Sequence, residues 1–129
     1  MYLAGRALKK SEYCDASALA IEAVLRRPLS ARFIDSPTFC HGVAGLLAIV
    51  TRFAHEMREP TLESGALALC EQLLGLYEPR SLLGFRSLEL EGRRVDQPGL
   101  LDGAPGVALV LLATACDVEP EWDRIFLLS

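Results

Sequence analysis

The chain has 129 residues, of which 51% are hydrophobic and 23% are charged, and its formal net charge at pH 7 is −4. That length suffices for one domain with a hydrophobic core, whereas the acidic balance and the lack of a basic stripe argue against a nucleic-acid partner. No apolar run reaches the ~18–20 residues of a membrane span, and the first residues lack the charged start and long apolar run of a signal peptide, so the cytoplasm is the expected compartment.

Helical periodicity predicts two helices in the first part of the chain. The first, at residues 2–10, begins without a capping residue. Ser11 is expected to cap the second, at residues 12–27, which has one apolar face. Pro28 ends this helix, and a loop at residues 28–40 follows.

Two apolar helices and one amphipathic helix are predicted in the rest of the chain. Residues 42–57 and 104–116 are apolar on nearly every side, which is typical of helices buried all round. Pro60 starts the amphipathic helix at residues 61–77. Its buried stripe is expected to consist of Leu62, Ala66, Leu69, Leu73 and Leu76.

A long connection and a short final element complete the pattern. In the connection at residues 79–99, Leu88 to Glu91 alternate in polarity and Glu91-Gly92 suits a turn, so a short β-hairpin is predicted. Residues 119–128 are expected to form a short last helix. Amphipathic and apolar helices thus alternate along the chain, which predicts an all-α fold with two layers of helices or a helical-repeat array.

Cys40 and His41 stand side by side where the loop meets the apolar helix that starts near Gly42. Thiolate and imidazole are ligands that zinc prefers, and a helix N-terminus favours the thiolate form of a cysteine. Adjacent side chains diverge by about 100° on a regular helix, but they can converge at a junction. The pattern predicts a zinc site, and a buried cysteine beside a capping histidine is the structural alternative.

The other cysteines and the second histidine are expected to be structural. Cys14, Cys70 and Cys116 lie within apolar segments, which favours reduced, buried thiols over a disulfide framework. His55 lies late in the predicted helix at residues 42–57, where imidazolium suits the negative end of the helix dipole.

An internal repeat relates the two apolar helices. Gly42 and Gly45 align with Gly103 and Gly106, an offset of 61 residues, and each pair opens an apolar helix after a loop. Glycines at these positions let helix starts approach each other, either for close packing alone or to leave room for a site. Asp102 precedes the second pair, where it is expected to cap the helix or to contact substrate. All five residues are therefore candidate helix-start or substrate-facing positions.

Three features together resemble the lanthionine synthetase C-like family, the lanthipeptide cyclases. They are the Cys-His-Gly-x-x-Gly pattern at residues 40–45, the stretch at residues 100–108, and the tail at residues 122–128. The resemblance runs through the whole chain, but the chain covers only a C-terminal portion of a family member. It implies an α/α toroid, a double-layered ring of helical hairpins with apolar inner and amphipathic outer helices, of which residues 1–129 form a single partial domain.

The resemblance also implies an activity, a cofactor and partners. A dehydrated precursor peptide would undergo intramolecular Michael addition of its cysteine thiols to dehydroalanine or dehydrobutyrine, giving (methyl)lanthionine thioether rings, and a dehydratase would be a further partner. Zinc would be held by Cys40, His41 and a second cysteine, with the fourth position open for a substrate thiol.

The sequence departs from the family pattern in the second zinc cysteine, which belongs to a Trp-Cys-x-Gly motif that these residues lack. Cys14 is the candidate substitute, but its place within an amphipathic helix argues against that role. The proton-transfer residues of the family fall outside the chain as well, so no catalytic residue is assigned. As a fragment of a cyclase, the chain is expected to be inactive alone.

Two other functions remain open from the sequence. One is a glutathione-binding or glutathione-adding member of the same family, and the other is a non-catalytic helical-repeat interaction module. A partial ring has two open sides, where apolar helices lack neighbours. The isolated chain is therefore expected to self-associate or to be marginally stable.

Overall fold

The computed structural model describes residues 1–116 and 120–126, and most of them are helical. The α-helices are α1 (Tyr2–Leu8), α2 (Ser11–Arg26), α3 (Val43–Met57), α4 (Pro60–Gly75) and α5 (Ala104–Ala115). The strands are β1 (Ser87–Leu88) and β2 (Arg94–Val95), and short 3-10 helices span Leu29–Ala31, Leu90–Gly92 and Trp122–Phe126. The predicted all-α class is confirmed. Among the described residues, none of the helices has the length and apolarity that crossing a membrane takes.

The described residues divide into two compact units, one within Met1–Phe33 and Pro120–Ser129 and the other within Ile34–Glu119. From Pro120 onward, the predicted last helix falls in the first unit. Of its described residues 120–126, Trp122–Phe126 form a 3-10 helix, whereas residues 119, 127 and 128 lie outside the described residues.

In the first unit, α1 and α2 pack against each other across a tight turn. Lys9 adopts the left-handed conformation (φ 54°), and the amide of Lys10 donates to the carbonyl of Gly5 at 2.8 Å. Lys10 is therefore extended and Ser11 is already the first residue of α2. The prediction that Ser11 caps this helix is wrong, because no side chain bonds its first amides.

The second unit is built on α3, which packs against both α4 and α5. Pro60 begins α4, as predicted, and Leu62, Leu69 and Leu73 of its predicted stripe lie in the core. Ala66 and Leu76 are half-buried, and Leu76 follows the last residue of the helix. The larger core residues of the three helices are at most 2% exposed: Val43, Leu47, Val50, Leu62, Leu69, Leu73, Val107 and Val110.

Helix α5 is buried on one face only, so the prediction of burial all round is wrong. Gly106, Val107 and Val110 are buried, whereas 60% of Leu112 is exposed. An apolar helix is buried only where another element covers it, and α3 covers one face. For the same reason Cys116, at the end of α5, is exposed rather than a core thiol.

The predicted β-hairpin is confirmed within the connection between α4 and α5. Strands β1 and β2 pair antiparallel with Ser87 opposite Val95, and the turn between them carries positive φ at Glu91 (64°) and Gly92 (77°). The amide of Leu88 donates to the Ser36 hydroxyl at 3.1 Å. This bond attaches the hairpin to the loop that precedes α3.

A charged network holds the same connection together. The carboxylate of Glu78 accepts hydrogen bonds from Arg86 and, at 2.9 Å, from Arg94. The bond from Arg86 is the largest cause that holds the pKa of Glu78 below its ordinary value, and it raises the pKa of Arg86 in turn. Asp96 accepts the amide of Leu83 at 3.0 Å. The connection is therefore ordered by its own contacts.

Candidate metal centre

Cys40, His41 and Asp102 come together at the N-terminal ends of α3 and α5. One donor atom from each of them lies within 4.8 Å of the other two. Nδ1 of His41 is 3.8 Å from Oδ1 of Asp102, and these side chains are 55% and 57% exposed. Among residues 1–116 and 120–126, no other three Cys, His, Asp or Glu side chains are grouped in this way.

The loop before α3 presents Cys40 and His41 by folding back over the start of that helix. The amide of Val43 donates to the carbonyl of Ser36 at 2.8 Å, and the amide of Ala44 donates to the carbonyl of Pro37 at 3.3 Å. Loop carbonyls thus satisfy the first amides of the helix, and no side chain caps it. The alternative of a capping histidine is therefore wrong, and the His41 imidazole is available for another role.

The sequence repeat is also a structural repeat. Gly42 and Gly103 are the N-cap residues of α3 and α5 and have similar conformations, with φ of −115° and −133°. A Cβ atom at Gly42 would overlap the carbonyl of Ser36, and one at Gly103 would overlap the carbonyl of Gln97. Ser36 and Gln97 are themselves related by the same offset. The repeat therefore extends into the loops.

The second glycine of each pair has an equivalent environment. A Cβ atom at Gly45 would overlap the carbonyl of Phe39, and one at Gly106 would overlap the carbonyl of Leu100, the residue equivalent to Phe39. Any larger side chain would force the loop away from the helix. These glycines fix the turn that carries each candidate donor residue.

The two loops lie side by side. The amide of Cys40 donates to the carbonyl of Leu101 at 2.9 Å. Phe39 is buried, and a Cβ atom at Gly106 would be 3.0 Å from its Cβ. This pairing brings His41 opposite Asp102. Asp102 lies at a helix start as predicted, but the N-cap of α5 is Gly103 and no side chain caps the helix.

The other candidate residues have different surroundings. His55 is exposed on α3 and lines a separate cavity of about 400 Å³ together with Thr51, Arg58 and Glu63. Cys70 is half-buried on α4. In the first unit, the thiol of Cys14 donates to the carbonyl of Tyr2 at 3.7 Å.

The donor types of the cluster fit zinc, which binds cysteine sulfur, histidine nitrogen and aspartate oxygen. With metal–ligand bonds of about 2.0–2.3 Å, the ligand atoms of a tetrahedral zinc site lie roughly 3.3–3.8 Å apart. The donor atoms of the cluster lie within 4.8 Å of one another, which is up to about 1 Å wider than that range. Binding one ion would therefore require the exposed side chains to rotate toward each other.

Comparison with protein families identifies a match over nearly the whole chain. The family described as "Lanthionine synthetase C-like protein" matches residues 1–127. The matched region includes both glycine pairs and the three donor residues. No curated protein matches the chain.

Proposed function

The chain belongs to the lanthionine synthetase C-like family, and on this premise we propose that it is a portion of a zinc-dependent lanthipeptide cyclase. Cys40 and His41 are the zinc ligands in this proposal. The observation that carries it is the convergence of their side chains at the start of α3, in a turn held by backbone hydrogen bonds. The substrate is a dehydrated precursor peptide delivered by a dehydratase, and the reaction takes place in the cytoplasm.

The reaction consumes no co-reactant. A cysteine sulfur of the peptide bonds to the β-carbon of dehydroalanine or dehydrobutyrine, and the α-carbon takes up a proton. Zinc at the cluster would lower the pKa of a substrate thiol that reaches it and so supply a thiolate at neutral pH.

The protein itself contributes position and access. The backbone of the Cys40 turn is fixed by its bond to Leu101, so the residue that carries the thiol is in place before substrate arrives. More than half of the His41 side chain is exposed, which leaves an approach for a peptide. Gly42 and Gly103 let the loops pack against the two helix starts, because a side chain at either position would overlap a loop carbonyl.

Measurement of zinc in the purified chain tests the metal site. We expect near-stoichiometric zinc in the wild type and its loss in both Cys40→Ala and His41→Ala. Cys116→Ala is the matched control, because Cys116 is also an exposed, free cysteine. Absence of zinc from a chain that is folded by circular dichroism would overturn the proposal.

A second measurement separates the cyclase from a glutathione-related function. Cobalt replaces zinc as a spectroscopic probe. Each candidate substrate thiol is then titrated into the cobalt-loaded chain, and the thiolate-to-cobalt charge-transfer band reports its binding. We expect a dehydrated peptide that contains cysteine to bind more tightly than glutathione. Tighter binding of glutathione would contradict the cyclase proposal and favour the glutathione-related alternative.

A further inference from the structure

We propose that Asp102 supplies a carboxylate ligand to the same metal, so that the centre in this chain is formed by Cys40, His41 and Asp102. The proposal rests on the proposed function, since it takes Cys40 and His41 as zinc ligands. It adds a donor from the second copy of the repeat, 61 positions after His41.

The distance between His41 and Asp102 is too long for a hydrogen bond and only slightly longer than two ligands of one metal ion require. Nδ1 of His41 and Oδ1 of Asp102 are 3.8 Å apart, whereas N–H···O hydrogen bonds span about 2.7–3.2 Å. A nitrogen and an oxygen bound to one tetrahedral zinc ion at about 2.0–2.2 Å lie roughly 3.3–3.6 Å apart. A movement of a few tenths of an ångström would therefore let both atoms bind one ion.

The charges of the three donors suit a divalent ion. A thiolate and a carboxylate each bring one negative charge and a neutral imidazole brings none, so the donor set balances Zn²⁺. Three protein ligands with a fourth position open are the arrangement of catalytic zinc sites. The exposure of His41 and Asp102, 55% and 57%, leaves that fourth position accessible.

The backbone brings these donors together without help from a metal. The bond from the amide of Cys40 to the carbonyl of Leu101 joins the residues that directly precede His41 and Asp102. Each loop is also held against its own helix, because Gly45 and Gly106 admit the carbonyls of Phe39 and Leu100. The backbone does not need to move for the three donor atoms to bind one ion, because rotation of the side chains is the movement required.

Cobalt binding to the 129-residue chain and its variants tests the role of Asp102. In the wild type we expect a charge-transfer band from one protein thiolate, that of Cys40. Asp102→Asn removes the anionic donor and should weaken cobalt binding roughly 100-fold or more, since loss of a supporting residue alone costs about 10–100-fold. Asp35→Asn is the matched control, because Asp35 is an exposed aspartate in the loop before α3.

Asp102→Cys gives a second and independent reading. If the side chain at position 102 reaches the metal, this variant keeps its affinity, and its charge-transfer absorbance rises about twofold because two thiolates coordinate. An absorbance that stays at the wild-type value, or an Asp102→Asn variant that binds as tightly as Asp35→Asn, would overturn the role of Asp102. Tight cobalt binding by Cys40→Ala would instead overturn the proposed function, so the two failures are distinguishable.

Discussion

The amide of Cys40 donates a 2.9 Å hydrogen bond to the carbonyl of Leu101, and these two residues occupy equivalent positions in the two copies of the repeat. A bond between equivalent positions means that the two helix starts lie beside each other. The residues that follow, His41 and Asp102, therefore face each other across the two copies. The donor cluster is a product of this pairing.

Gly45 tests how closely the loop must approach the helix. Gly45→Ala places a Cβ on the Phe39 carbonyl, a backbone atom that cannot rotate away, so we expect the free energy of unfolding to fall by about 1–3 kcal/mol. Gly75 is the matched control, because it lies in α4 with no atom within 4 Å of an added Cβ. Gly75→Ala should leave stability unchanged or raise it by about 0.5–1 kcal/mol. Equal urea midpoints for the two variants would contradict the close approach.

Glu78 should make stability depend on pH in the acid range. Because Arg86 holds its pKa in the folded chain below the ordinary value of 4.5, the carboxylate stabilises the fold above that value. The stabilisation is lost as the pH falls from 4.5 through the lowered pKa. Glu78→Gln should therefore unfold at a lower urea concentration than the wild type at pH 7.

The difference in urea midpoint between Glu78→Gln and the wild type should shrink as the pH falls below 4.5. Glu71→Gln serves as the control, since Glu71 is an exposed glutamate on the neighbouring helix α4. If the difference in urea midpoint stays constant from pH 7 to pH 3, the charge of Glu78 does not stabilise the fold.

Zinc should raise the melting temperature of chain that has been stripped with a chelator. A ligand that binds only the folded state stabilises it by about 2.7 kcal/mol at 100 times its Kd. The shift should be absent in Cys40→Ala and unchanged in Cys116→Ala, and fresh chelator should reverse it. An equal shift in Cys40→Ala would mean that zinc binds elsewhere.

Leu112 should contribute to self-association of the isolated chain. It is 60% exposed on the uncovered face of α5, where a second copy could bury it. We expect concentration-dependent association in sedimentation equilibrium, and weaker association for Leu112→Gln. Leu90→Gln is the control, because Leu90 is 91% exposed in the hairpin turn. A monodisperse monomer with a cooperative melt would contradict the prediction.

Local sequence signals predicted the elements of the second unit well. The predicted helix at residues 42–57 is observed at Val43–Met57, and the alternation around Leu88 marks an observed hairpin. Side-chain period, proline and glycine act over a few residues, so they are readable locally. The burial of α5 was predicted wrongly because its composition does not show which faces find a neighbour.

The donor cluster could be predicted only in part. Cys40 and His41 are adjacent in sequence, so their proximity needed no tertiary information. The repeat aligned His41 with Asp102, but equivalent positions in a repeat are not necessarily neighbours. Their contact depends on the docking of two loops that are far apart in the chain, and short-range patterns do not report such docking.

The bond between Cys40 and Leu101 also bears on the order in which the chain folds. In the Glu78 network, the bonded residues are separated by 8 and 16 positions in the chain. The loops of Cys40 and Leu101 meet only after the far longer segment between them has closed. Closing a longer segment costs more entropy and slows contact formation. Pulsed hydrogen exchange during refolding should therefore protect the amide of Glu78, bonded to the Gly84 carbonyl at 2.7 Å, before that of Cys40. During synthesis, Cys40 and His41 leave the ribosome well before Asp102, so a metal ion captured early would meet two donors and gain the third only as α5 emerges.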